Sequence, residues 1–261
     1  MRGNVCGQRW VVDVTEFYVD HKHALSVGDV HVWAVRLNLD QNSTAKLARI
    51  LNEEEQARAA QLLFDRDRVR FTQTHGVVRE ILASYCDADA AGLAFARNRH
   101  GKPYLISRAK DPDLRFSVSH SGDYCLLALR RERDIGVDVE QVRDLPESIT
   151  IASSYFTRAE SEALAVLQGV AQRDTFFVWW AHKEALVKAR GLSLATHLDR
   201  AEFALDPSGA LRLCAWDGDP TVASKWFIHR LDPAPGYVAV VAGEHPVRSL
   251  TFQTWDYNRS E

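Results

Sequence analysis

Phe176-Phe177-Val178-Trp179-Trp180-Ala181-His182-Lys183-Glu184-Ala185-Leu186-Val187-Lys188 carries the reading that decides the fold, because its Lys183-Glu184-Ala185-Leu186 lies 104 positions after Arg79-Glu80-Ile81-Leu82. Both tetrads fall in helix candidates, about 66–85 and Thr175 to Ala189. Upstream of each stands a pair with the form of a capping box, Asn52 with Glu55 and Thr157 with Glu160, and these pairs are 105 positions apart. A strand candidate precedes each set, Val30 to Leu37 in one case and Ile135 to Glu140 in the other. A hairpin pattern follows each: Arg115 to Ser119 with Tyr124 to Arg130 around Ser-Gly-Asp, and Trp226 to Leu231 with Tyr237 to Ala242 around Asp-Pro-Ala-Pro-Gly. Repeated element order predicts an α+β fold of two similar halves related by a pseudo-twofold axis, residues 1–131 and 132–261. Residues 1–27 are expected to be a peripheral extension. No linker rich in Pro, Gly or Ser divides the halves, so they are expected to pack tightly and to hold the active site at their interface.

The 261 residues, 46% hydrophobic and 26% charged, suffice for a sizeable core. A net charge of -3 gives no reason to expect a nucleic acid as partner. The average hides a basic stretch: Arg58 to Arg115 holds eleven Lys and Arg against seven Asp and Glu. A phosphate-rich ligand would suit it, and so would an ordinary solvated helix face. Cys6, Cys86, Cys125 and Cys214 form no CxxC pair and no zinc spacing, so reduced thiols are expected. There is neither an apolar run of membrane-spanning length nor a signal-peptide core at the start, and the expected location is the cytoplasm, away from membranes.

Three segments carry chemistry. In Asp134-Ile135-Gly136-Val137-Asp138-Val139-Glu140, strand alternation puts Asp138 and Glu140 on one face and Val137 and Val139 on the other. Two like charges on one face repel unless a cation or solvent screens them, and hard oxygen ligands suit Mg²⁺ with substrate phosphates. A wet acidic edge strand gives the same pattern. In the quoted helix, spacing of four aligns Trp180, Glu184 and Lys188. Glu followed by Lys at i,i+4 is a common surface pair, but the aromatic setting predicts partial desolvation, which equips a carboxylate to act as base or metal ligand. In Phe116-Ser117-Val118-Ser119-His120-Ser121-Gly122, hydroxyls, an imidazole and a glycine turn offer donors to an anion. Nucleophilic catalysis by Ser119 is disfavoured, since adjacent strand residues face opposite ways and no GxSxG elbow is present. Gly101-Lys102-Pro103 reads as a turn with an exposed lysine.

Taken in order, Gly-Lys-Pro, Ser-His-Ser-Gly, Ile-Gly-Val-Asp-Val-Glu and Trp-Ala-His-Lys-Glu-Ala-Leu-Val-Lys resemble the Sfp-type 4'-phosphopantetheinyl transferases over about residues 52–242. The resemblance implies a monomer of two α+β halves. Such an enzyme moves the phosphopantetheine of coenzyme A to a serine of an apo acyl, peptidyl or aryl carrier protein and releases 3',5'-ADP. Fatty-acid, polyketide and nonribosomal-peptide pathways all use carriers of this kind. It implies Mg²⁺, with Mn²⁺ as a substitute, on Asp138, Glu140 and Glu184. It also implies a catalytic set of Glu184 as general base, Lys188 at the pyrophosphate and leaving group, and His120 near a phosphate. Arg58, Arg70, Lys102, Ser119, His120, Lys183 and Lys188 match coenzyme-binding positions, with Trp180 in support. The chain departs from the family pattern at Glu53-Glu54-Glu55, where many relatives place a basic residue.

Two other readings stay open on the sequence. A metal-dependent nuclease also uses acidic pairs near a lysine, but the spacing of Glu184 and Lys188 is helical rather than strand-like, and no nucleic-acid motif is visible. A non-catalytic module that binds coenzyme A or carrier domains would not need all three carboxylates.

Overall fold

The computed structural model describes residues 13–14, 24–106, 113–255 and 257. Its elements are β1 (Asp13–Val14), β2 (Asp29–Arg36), α1 (Gln41–Arg49), α2 (Glu53–Gln61), α3 (Asp65–Cys86), β3 (Phe95–Arg97), β4 (Pro103–Leu105), β5 (Leu114–Ser121), β6 (Tyr124–Arg131) and β7 (Ile135–Gln141). They continue with α4 (Ser148–Tyr155), α5 (Arg158–Ala165), α6 (Gly169–Ala189), β8 (Ala201–Leu205), β9 (Leu211–Trp216), β10 (Trp226–Leu231), β11 (Tyr237–Glu244) and β12 (Ser249–Trp255). Local chemistry explains where several begin. Asn52 and Thr157 each accept from the backbone N–H three residues on, while Glu55 and Glu160 reach back to the cap N–H, so both predicted capping boxes start their helices, α2 and α5. At its far end α3 stops at Asp87, which turns left-handed at φ 52°.

The same topology occurs twice. β2, α3, β5 and β6 make an antiparallel set in the order β2-β6-β5, with the long helix between the first and second strands. β7, α6, β10 and β11 make another, in the order β7-β11-β10, again antiparallel and again with the long helix after the first strand. β2 is buried on both faces. Trp33 and Val35 pack with Val77, Ile81 and Leu82 of α3, while Val30, Val32 and Ala34 pack with Val137, Val139, Ala239 and Val241 of the second sheet. On the far side of that sheet, Val238, Val240 and Ala242 meet Ala181, Ala185 and Leu186 of α6. Helix, sheet, sheet and helix therefore stack in four layers, with apolar faces alternating at the strand period.

Two features differ from the sequence reading. β12 runs parallel to β2, pairing Leu250 with Val30 and Trp255 with Val35, so the last strand completes the sheet of the first half although it was expected to belong to residues 132–261. The second long helix begins at Gly169 rather than Thr175. Its N-cap Gln168 makes no side-chain cap bond, which leaves no start signal in the sequence. Of the proposed extension 1–27, residues 1–12 and 15–23 lie outside the described residues.

Candidate active site at the junction of the halves

β7 reaches the site because Gly136 lets it lie against α6. A Cβ there would stand 2.0 Å from the Ala185 carbonyl oxygen and 2.3 Å from the Ala189 nitrogen. Close approach carries Asp138 to Lys188, one helical turn past Glu184. Lys188 Nζ donates to Asp138 Oδ1 at 2.6 Å and to Ser119 Oγ at 3.1 Å, and pairs with Glu184 Oε2 at 3.1 Å. From the first half, the Ser119 hydroxyl donates to Asp138 Oδ1 at 2.8 Å and the Ser121 hydroxyl to Glu140 Oε2 at 2.9 Å. The structure thus brings Asp138, Glu140, Glu184, Lys188 and Ser119 near one another from β7, α6 and β5.

The electrostatics are lopsided. Two carboxylates, Asp138 and Glu184, pair with one ammonium while Glu140 lies nearby, and Asp138 is only 1% exposed. Burial, then the neighbouring Glu184 and Glu140, push the Asp138 carboxyl well up despite Lys188. Glu140 is raised by burial and by Glu184, against the pull of Ser121. Burial alone would depress the Lys188 ammonium, but Asp138 and Glu184 outweigh it and hold it above its ordinary value. Among the described residues, no group of three or more His, Cys, Asp or Glu side chains is already arranged around a common metal position. Lys188 stands between Asp138 and Glu184 instead. The donor set nevertheless suits a hard cation: it is oxygen-only and net negative, and Asp138 Oδ2 is buried with no hydrogen-bond partner.

Beside these carboxylates, a cleft of ≈ 410 Å³ opens in the first half, lined by Arg58, His75, His120, Phe95, Pro103 and Phe116 among others. Partial burial, then the neighbouring Lys188, His75 and Arg70, push the His120 imidazole below its ordinary value. Arg58 lies 5.7 Å over the Phe71 ring, and His75 stacks on the same ring at 3.9 Å. Arg70 stands near His120 but pairs with Asp123 at 2.6 Å, at the β5–β6 turn. Lys102 bonds the Ile135 carbonyl at 3.0 Å, so it ties the β3–β4 hairpin to β7 at the rim. Burial pushes its ammonium down.

One expected ligand is corrected. Lys183 is fully buried, pairs with Glu160 at 2.7 Å and donates to the Leu198 and Ala201 carbonyls. Its ammonium is turned into the second half and is taken up by these three partners. Trp180 stacks on Phe176 at 5.6 Å, as part of the aromatic packing of α6. The sequence reading passed over His75, whose Nδ1 lies 3.1 Å from Glu55 Oε1. The available signal was its helical spacing of four from Arg79, the other partner of Glu55.

A carboxylate set with one buried unpaired oxygen lies where two repeated α+β units meet, and a cleft holding Arg58, His75 and His120 opens in the first half. Comparison with known proteins gives the family. Residues 134–242 match the family model described as the 4'-phosphopantetheinyl transferase superfamily, and residues 39–132 match that described as 4'-phosphopantetheinyl transferase, N-terminal. The 4'-phosphopantetheinyl transferase HetI of Nostoc sp. is 33% identical over 82% of this chain and 87% of its own length. Sfp of Bacillus subtilis, also named a 4'-phosphopantetheinyl transferase, is 26% identical over 80% of this chain and 88% of its own. The human L-aminoadipate-semialdehyde dehydrogenase-phosphopantetheinyl transferase is 30% identical over 61% of this chain, and the match spans 54% of the human protein. The chain belongs to the 4'-phosphopantetheinyl transferase superfamily.

Proposed function

We propose that this chain transfers the 4'-phosphopantetheine of coenzyme A to a serine hydroxyl of an apo carrier protein. The serine oxygen forms a bond to the pantetheine-bearing phosphorus, the pyrophosphate P–O bond breaks, and 3',5'-ADP leaves with the electron pair. The observation that carries the reading is the buried Asp138, with one oxygen bonded by Ser119 and Lys188 and the other unpartnered, beside the basic cleft.

Asp138, Glu140 and Glu184 would hold Mg²⁺, or Mn²⁺ in its place, which supplies neutralisation of the charge on the pyrophosphate. The chain's own residues do the rest. Glu184, on α6 and mostly buried, accepts the proton of the carrier serine. Lys188 has its charge held firmly by Asp138 and Glu184 and offers it to the leaving oxygen. Arg58, Arg70, His75 and His120 receive the nucleotide end, with Phe95, Pro103 and Phe116 as apolar surface for the base. Lys102 closes the rim. In this reading the enzyme acts as a monomer in the cytoplasm, where fatty-acid, polyketide or nonribosomal-peptide carriers would be its partners and nucleic acid is not. No helix among the described residues is long and apolar enough to cross a membrane.

Intact-mass spectrometry of several apo carriers, after incubation with the chain and coenzyme A in Mg²⁺ or in EDTA, tests the reading. A gain of one phosphopantetheine on the carrier serine, lost in EDTA, is expected. No gain on any carrier from folded protein would overturn it.

A further inference from the structure

β5 and β7 lie side by side yet belong to different sheets, so no backbone ladder joins them. Serines fill the gap. Ser117, Ser119 and Ser121 alternate along β5 and so share the face turned to β7. Ser117 Oγ accepts from the Val137 N–H at 3.1 Å, and Ser121 Oγ accepts from the Gln141 N–H at 3.1 Å. These hydroxyls stand where carbonyls of a continuous sheet would be. A hydroxyl also has one proton to give. Ser119 gives it to Asp138 Oδ1 and Ser121 to Glu140 Oε2, while Ser119 accepts from Lys188.

We propose that Ser119 and Ser121 are positioning residues that fix, from the first half, which oxygens of Asp138 and Glu140 face the metal. The inference rests on the metal-dependent reading above. With Oδ1 occupied by Ser119 and Lys188, Asp138 presents Oδ2, the buried atom without a partner. Ser121 occupies Oε2 of Glu140 in the same way. Both carboxylates on β7 are therefore oriented only while β5 is docked against that strand. The family resemblance placed Ser119 on the nucleotide, which predicts a different result when it is removed. Loss of a nucleotide ligand raises the KM for coenzyme A, whereas loss of an orienting hydroxyl weakens the metal and lowers kcat. Ser117 serves as an internal control. It is buried on the same face of the same strand, but bonds a backbone N–H and touches neither carboxylate.

Mn²⁺ binding to the full chain, followed by electron paramagnetic resonance, tests this with S119A, S121A, S121T and S117A, alongside KM and kcat in Mg²⁺. S119A and S121A are expected to weaken Mn²⁺ binding about 10–100-fold and to lower kcat, the usual cost of removing an outer partner of a metal ligand, with KM for coenzyme A changed by less than about twofold. S121T keeps the hydroxyl and should restore Mn²⁺ affinity. S117A should lower the melting temperature and leave Mn²⁺ affinity at the wild-type value. Wild-type affinity in both alanine variants, a loss no greater than that of S117A, or no Mn²⁺ binding by the wild type would each overturn the proposal. Because the titration needs no carrier, its outcome is read separately from whether any carrier accepts phosphopantetheine.

Discussion

The two long helices occupy equivalent places, and their differences separate what the fold requires from what the chemistry requires. Arg79 on α3 pairs with the capping-box Glu55 at 2.7 Å, and Lys183 on α6 pairs with the capping-box Glu160 at 2.7 Å. Each cation is fully buried, and each also donates to two carbonyls downstream: Ala90 and Leu93 for Arg79, Leu198 and Ala201 for Lys183. This duplicated pair is structural: it locks the short helix onto the long one. Elsewhere the halves part. Glu80 and Ser84 on α3 stand where α6 has Glu184 and Lys188, and Ser84 merely bonds the Ile81 carbonyl at 2.7 Å. One turn on from Glu80 stands Ser84 rather than a cation, and burial pushes the Glu80 carboxyl up to about 7. His75 faces the cleft at the place where α6 has the buried Trp179.

The shared pair can be broken first. K183M strands Glu160, 2% exposed, with only the backbone N–H groups of Thr157 and Phe203 as donors. Urea denaturation should show a loss of about 3–5 kcal/mol, the usual cost of leaving one partner of a buried pair. R79M should cost about 1 kcal/mol less, because Glu55 keeps His75 as a neighbour and is 11% exposed. Equal losses would mean that His75 does not share the carboxylate.

The next largest effect is at the strand that only the second half brings this close to its helix. G136A places a methyl against the Ala185 and Ala189 backbone, so β7 must move; a loss of about 3 kcal/mol is expected, at the upper end for overpacking. Transfer activity should fall with it, because Asp138 shifts relative to Lys188. Unchanged stability would show that the two elements have slack.

The smallest effect concerns Glu80. Its folded pKa is raised from 4.5 to about 7, so the fold favours the neutral acid. The stabilising contribution is fully present below about pH 4.5 and is lost as pH rises through about 7. E80Q should therefore be more stable than wild type above pH 7, by roughly 2 kcal/mol after solvent screening, with the difference vanishing in acid. A constant difference across pH would mean that Glu80 does not titrate as its burial requires.

How much of this was legible follows from the range of the interactions. The capping boxes, the extent of α3 and the alternation of β7 obey local rules, and the structure has them where the sequence placed them. The pairs Asp138 with Glu140 and Glu184 with Lys188 were legible because one strand and one helix each carry their own spacing. β12 escaped notice because its partner β2 lies some 220 positions earlier in register, Ser249 with Asp29, and no local signal encodes that. Lys183 was misread because it sits inside the motif beside Glu184, and neighbours on a helix point about 100° apart. Only the repeat identifies its role, through Arg79.

The central proposal is that, of the two equivalent long helices, only α6 supplies the proton acceptor and the cation for the leaving group. It is tested most directly by phosphopantetheine transfer to one apo carrier, followed by intact mass, for wild type, E80Q and E184Q. The account predicts that E80Q transfers at the wild-type rate and that E184Q is slowed by at least about 100-fold. E184Q at the wild-type rate, or E80Q slowed as far as E184Q, would contradict it.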